Sequence, residues 1–197
     1  MRLDIPDNAQ KVLLHSCCAP CSGAILECLL ENGVKPVVFF SNSNIDTREE
    51  FEKRLAELRR YCDSLGVELV EDEYDHEAWL KAVKGLENEP ERGSRCLECF
   101  KFRLRRAACY AAGNGFGQLT TSLASSRWKS LEQVDAAGVC AVSEAGGDLQ
   151  WWPQNWRKGG LQPRRGEIIK EQGFYNQTWC GCEFSHRETE KEQIQSI

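Results

Sequence analysis

Seven of the eleven cysteines in this 197-residue chain fall into three short motifs. Cys17-Cys18-Ala19-Pro20-Cys21 comes first, Cys96-Leu97-Glu98-Cys99 second and Cys180-Gly181-Cys182 third. Thiolates bind soft metals, build iron–sulfur clusters and exchange electrons as dithiol/disulfide pairs. Adjacent cysteines point in different directions, so Cys17 or Cys18 can face a cofactor, and in an irregular loop both can. A C-x-x-C at a helix start turns both sulfurs to one side, which suits zinc, an iron–sulfur cluster or a redox dithiol alike. A C-x-C chelates one ion through both sulfurs or closes a small, strained, easily reduced disulfide. The first two motifs together supply the four thiolates of a split cluster site, and four thiolates also close a structural zinc site. The single cysteines differ: Cys62 and Cys109 read as core residues, Cys28 and Cys140 as undecided.

The elements that must position these thiols follow from hydrophobic pattern and turn residues. Lys11–Ser16 is a short apolar run ending in small and polar residues and reads as a buried strand. The Cys17–Ser22 stretch after it is a tight loop, capped by Cys21 or Ser22 ahead of a helix over about 23–32 that Gly33 ends. Val37–Phe40 is a second strand, followed by the polar loop Ser41–Asn44. Helical spacing of Phe51, Leu55, Leu58 and Cys62 predicts a helix from Asp46 or Thr47 to Leu65, stopped by Gly66. A strand over 67–70, a helix over 76–83, a loop over 85–94 and a helix over 96–112 come next. Gln118–Thr121 is a fourth strand, and 129–145 is a helix with Gly138 as its weak point.

Strands alternating with helices over connections of this length imply an α/β fold with a parallel sheet and right-handed crossovers. Ligands in such sheets bind outside the carboxyl ends of the strands, where Cys17–Cys21, Ser41–Asn44 and Ser122–Ser126 all fall. The expected organisation is one unit over 1–197. Its α/β core runs over about 11–145, and an irregular Trp- and Cys-containing segment over about 146–185 covers the active site.

Composition narrows the class. Hydrophobic residues make up 41% and charged residues 28%, as in ordinary globular proteins. No apolar run approaches the ~18–20 residues of a membrane span. The polar N-terminal stretch Met1–Gln10 lacks the apolar core of a signal peptide. The expected location is the cytoplasm, where clustered cysteines serve metal or redox chemistry rather than disulfides. The net charge of −5 argues against nonspecific coating of nucleic acid, yet basic residues gather over 92–106 and 157–170. His15, His76 and His186 have no ligand spacing, and His15 reads as a hydrogen-bonded core histidine. Trp151, Trp152, Trp156 and Trp179 read as packing residues, with base stacking as the other use. No Walker-type loop, GxGxxG or H-E-x-x-H occurs.

The motifs taken in order resemble one family. Leu13–Cys21, Ser43-Asn44-Ile45, Arg95-Cys96-x-x-Cys99, Leu119–Leu123, Trp156-Arg157-Lys158-Gly159 and Tyr175-Asn176-Gln177-x-Trp179-Cys180-Gly181-Cys182-x-Phe184-Ser185 are similar to those of the QueH-type epoxyqueuosine reductases. Two departures stand out. Ser43 replaces a proline usual in the family, and Asn155 replaces a common aspartate. The position of Cys21 varies in the family between Cys and Asp, which suits a metal ligand of changeable type.

The resemblance implies a Rossmann-like sheet of the adenine-nucleotide alpha-hydrolase (HUP-like) type. It implies a two-electron reductive deoxygenation of epoxyqueuosine in the tRNA anticodon, the last step of queuosine synthesis, without cobalamin. It implies a 4Fe-4S cluster with an additional iron ion beside it. On that basis Cys17, Cys18, Cys96 and Cys99 are expected to hold the cluster. Cys180 and Cys182 are expected to bind a second iron, with Cys21 as a further ligand, or to cycle as a redox dithiol. Tyr175 is the candidate proton donor. Arg103, Arg106, Arg157 and Lys158 are candidate phosphate contacts to the tRNA, and an unidentified electron donor completes the set of partners. The alternatives are a structural zinc module that binds RNA and a thiol–disulfide oxidoreductase using Cys180 and Cys182 alone. A tRNA thiolation enzyme on the same sheet would carry an SGGxDS-like loop after the first strand, where this chain has Ser16–Ser22.

Overall fold

The computed structural model describes residues 1–7 and 11–185. Five strands, β1 (Val12–Ser16), β2 (Val37–Phe40), β3 (Leu69–Glu71), β4 (Gln118–Thr121) and β5 (Gln150–Trp151), form one sheet in the order β3-β2-β1-β4-β5. Every pairing is parallel, and Leu14 of β1 stands opposite Val38 of β2 and Thr120 of β4. The fold is therefore α/β, as the element pattern implies. All five residues of β1 are buried, so both faces of the central strand are covered.

The chain leaves β1 toward β2 and β3 on one side, then returns to β4 and β5 on the other. The point of reversal lies between β1 and β4, and a crevice opens there at the carboxyl ends. The helices are α1 (Ala19–Glu31), α2 (Arg48–Leu65), α3 (His76–Ala82), α4 (Ser94–Gly113), α5 (Leu131–Ala145) and α6 (Leu161–Gln172), with a 3-10 turn over Ser122–Ser125. Helix α1 packs on α2 and α6, and α4 packs along α5. One continuous apolar core runs from Leu3 to Phe174.

Several elements differ from the sequence expectation. Helix α1 begins four residues early, at Ala19, with Pro20 in its first turn and Cys18 at the N-cap. Proline suits that turn because its missing N–H has no helical partner there. Cys21 thus belongs to the helix, not to the loop. The segment after Gly146 is irregular only in part, because it supplies β5 and the whole of α6. Pro163, in the first turn of α6, and the Gly159-Gly160 pair before it read as loop in the sequence. Proline is tolerated in a first turn, and Gly160 starts the helix with φ of 83°. Gly138 of α5 is a contact rather than a weakness: a methyl group there would overlap the Trp151 indole. Cys62 is buried as expected, whereas Cys109 is exposed, because it lies on the outer face of α4. His186 lies outside the described residues.

Candidate active site at the carboxyl ends of the strands

The first cysteine motif leaves β1 directly. The Cys17 N–H donates to the Ser122 hydroxyl (3.0 Å), and that hydroxyl donates to Cys17 Sγ (3.3 Å). Ser122 follows β4, so the strands on either side of the reversal fix Cys17 together. The sulfurs of Cys17 and Cys18 are 3.8 Å apart, and those of Cys17, Cys18 and Cys21 all lie within 4.8 Å of one another. Their charges divide unequally. Cys18 and Cys21 donate to Cys17, and with Lys129 and Arg103 nearby they hold its thiol well below the ordinary range. That same thiolate, together with burial, pushes Cys18 and Cys21 up. Gln177 Nε2 donates to Cys18 Sγ (2.7 Å).

Beneath the thiols lies a polar frame. Asn42, just past β2, donates to the Ser16 carbonyl (2.9 Å) and accepts from Arg103, which also donates to the Ser41 carbonyl (3.3 Å). His15 Nε2 meets the Ser41 carbonyl (3.0 Å), so this nitrogen carries the hydrogen and Nδ1 accepts from Thr121 (2.7 Å). Burial, then Arg103, lowers the His15 pKa to about 3. His15 is a neutral core histidine, as expected.

The second motif opens α4. Arg95 is buried, donates to the Glu87 and Glu89 carbonyls and faces the Phe184 ring at 5.2 Å. It fixes the helix start and thereby Cys96 and Cys99. The Arg92 N–H donates to Cys96 Sγ (3.3 Å). Burial pushes the Cys96 thiol up to about 12 and raises Cys99 as well.

The third motif folds back onto the start of α2. The Asp46 N–H donates to the Gly181 carbonyl (2.8 Å), and Arg54 Nη1 donates to the Cys180 carbonyl (3.1 Å). Gly181 has φ of 115°, and a side chain there would press on Arg54 and Ile45. Both the backbone conformation and the close approach require glycine. Burial, then the charge of Cys180, pushes Cys182 up to about 12. All eleven cysteines are free thiols.

The three motifs, far apart in sequence, line one cavity of about 610 Å³ with Cys17, Cys21, Cys96, Cys99, Cys180 and Cys182. Trp179 lines it too, with the Arg54 guanidinium 5.3 Å from its ring. Cations dominate the remaining wall: Arg54, Arg92, Arg103, Arg127, Lys129 and Arg165. Burial opposes the charge on Lys129, but the neighbouring sulfurs of Cys180, Cys17 and Cys21 hold its ammonium above the usual range.

Of the other sequence candidates, Arg103 alone lines the cavity. Arg103 is 2% exposed and serves the frame beneath the thiols. Arg106 is paired with Asp72 (2.8 Å) and does not line the cavity. Arg157 donates to the Lys129 carbonyl (2.8 Å), and burial lowers its pKa. Lys158 is exposed, in a turn where Asn155 Oδ1 accepts from the Arg157 N–H (3.2 Å). Tyr175 stands outside the cavity lining, its ring under Lys53 Nζ at 3.3 Å, and burial and Glu50 raise its hydroxyl pKa. Sequence reading missed Arg54, Arg92, Trp128, Lys129, Arg165 and Gln177. The residues 127–129 carried a signal, since they follow β4 at its carboxyl end.

A parallel α/β sheet that gathers thiols and cations over its strand ends is the framework of a thiol-dependent or metal-dependent redox enzyme. A family model described as epoxyqueuosine reductase QueH matches residues 12–188. Three similar proteins carry the same description. That of Acinetobacter baylyi is 44% identical over 191 residues, covering 97% of this chain and 87% of its own. That of Histophilus somni is 42% identical over 190 residues, covering 96% and 78%. That of Thermotoga maritima is 32% identical over 177 residues, covering 88% and 89%. The chain belongs to the QueH family of epoxyqueuosine reductases and is an oxidoreductase. No helix among the described residues is long and apolar enough to cross a membrane.

Proposed function

We propose that this chain reduces the epoxide of epoxyqueuosine in a tRNA anticodon to the alkene of queuosine. Two electrons and two protons enter, both C–O bonds of the epoxide break, and the oxygen leaves as water. The reading rests on family membership and on one observation above all, the meeting of three distant cysteine motifs in one cavity. The 3-2-1-4-5 strand order supports a Rossmann-like sheet of the adenine-nucleotide alpha-hydrolase type. The large core from Leu3 to Phe174, with a smaller cluster of Trp79, Val83, Cys99, Cys182 and Phe184, supports one domain, in which residues 146–185 wall the site.

The donor set suits an iron–sulfur cluster. It is all sulfur, and Arg103 and Lys129 favour the thiolate of Cys17. Cys17, Cys18, Cys96 and Cys99 would hold a 4Fe-4S cluster, which supplies electrons singly when bound. Cys180 and Cys182 would hold a further iron, with Cys21, or cycle between dithiol and disulfide. The dithiol form yields both electrons and both protons. A second ligand distribution is favoured by the tight Cys17-Cys18-Cys21 group, in which Cys21 joins the first two and the remaining four thiols form the other set. The cationic wall faces the alkoxide that forms as a C–O bond breaks, and positive charge placed where negative charge develops lowers the barrier. The activity belongs with a soluble tRNA-modifying enzyme of the cytoplasm that draws on a separate electron donor.

The test begins with iron, acid-labile sulfide and zinc content of protein purified without air. Iron and sulfide near four each, with a brown colour and conversion of epoxyqueuosine tRNA, support the reading. One zinc without sulfide, in protein never exposed to oxygen, overturns it in favour of a structural metal module.

A further inference from the structure

We infer that Trp128, at the mouth of the cavity, is a stacking platform for a nucleobase of the anticodon loop beside the one that enters. This rests on the tRNA reading above. Trp128 is 75% exposed, more than any other large apolar side chain among the described residues. An indole left in water is unfavourable, and its flat face is what a base covers best.

The backbone beneath the indole is fastened. Arg92 donates to the carbonyls of Trp128 (3.1 Å, Nε) and Arg127 (2.9 Å, Nη2), and Arg157 donates to the Lys129 carbonyl (2.8 Å). Two guanidiniums thus grip three consecutive carbonyls. Arg92 is itself held, because Gln133 of α5 donates to its carbonyl (2.8 Å). It also has φ of 66°, a conformation few side-chain-bearing residues adopt. The Trp128 indole and the Arg127 side chain both project from this fastened turn.

The charge around it selects the occupant. Among the described residues lining the cavity, Glu91 alone is acidic, although the chain as a whole carries −5. Arg127 is exposed beside Trp128, and Lys129 and Arg165 line the same cavity. A flat aromatic set among cations fits single-stranded nucleic acid, whose phosphates meet the cations while a base meets the ring. The geometry of delivery agrees: when one base of an RNA loop enters the cavity, its neighbours must lie on this rim. An acidic electron-carrier protein would answer the charge but has no need of a bare indole.

The test is direct binding of an anticodon stem-loop RNA to the wild type, W128A and W128F, with a blunt RNA duplex as the control. W128A should weaken stem-loop binding on the order of tenfold and leave duplex binding within about twofold. W128F should retain most of the affinity. Stem-loop binding should quench tryptophan fluorescence less in W128F than in the wild type, since the stacked indole is gone. Equal stem-loop affinity in W128A and wild type overturns the proposal, as does an equal loss on the duplex. A W128A turnover defect that appears only with a protein electron donor, and not with dithionite, assigns the indole to the donor and overturns it too. Binding is read without turnover, so a wild type that binds the stem-loop but reduces no epoxide overturns the proposed reaction and leaves this measurement standing.

Discussion

Ser122 both accepts from the Cys17 N–H and donates to the Cys17 sulfur, at 3.0 and 3.3 Å. One hydroxyl, placed by the end of β4, therefore fixes the backbone and the sulfur of a cysteine at the end of β1. S122A leaves a buried N–H unpaired and should destabilise the fold by about 1–2 kcal/mol in urea denaturation. S122T keeps the hydroxyl and should recover most of the loss. An S122A midpoint equal to that of the wild type would remove this hydroxyl from the frame of the site.

The cysteine assignments separate by what each variant loses. C99S should lower bound iron and sulfide. C180S with C182S should abolish turnover, because the pair is required either as ligands or as a dithiol. A C99S protein with a full 4Fe-4S complement breaks the cluster assignment, and normal turnover without the 180–182 thiols removes the third motif from the reaction.

Tyr175 has the residue type of a proton donor but stands outside the cavity lining. Its ring lies under Lys53, and its N–H donates to Glu57 (2.8 Å). Y175F keeps the ring and should hold kcat within about twofold, since general acid catalysis contributes about 100-fold or more where it operates. A loss of that size would restore Tyr175 to the reaction.

Thiol labelling distinguishes the single cysteines. Burial pushes Cys62 up to about 12, so at pH 8 it holds almost no thiolate and no path for reagent. Cys109 is exposed. Alkylation of the folded protein followed by peptide mapping should mark Cys109 readily, and Cys62 only after unfolding. Equal labelling of both in the native state would contradict the packing of α2.

The central strands and most helices were legible because β1, β2 and β4 are short apolar runs and because Gly66 closes a clear helical period. The cysteine motifs were legible because their spacing is local. Helix α6 was not, since Gly159, Gly160, Pro163 and Gly166 look like loop residues until tertiary packing on α1 outweighs them. The roles of the arginines were not legible either. Exposure decides whether a guanidinium meets phosphate or backbone, and nothing in the sequence separates buried Arg103 from exposed Arg127. Nor does anything in the sequence separate exposed Trp128 from Trp152 and Trp156, which are core residues.

The Cys180–Cys182 turn, fastened to the start of α2, makes the order of synthesis matter. A ribosome releases the thiols of 17–21 early and those of 180–182 much later, after every strand among the described residues has emerged. Until then the early thiols lack the wall that shields them from oxygen and from stray metal ions. A translation product halted before Trp179 would carry the sheet and the first two motifs with the pocket open on one side. Emergence of residues 179–182 is thus itself the step that closes the site, and enclosure of the thiols reports that synthesis has run past residue 182.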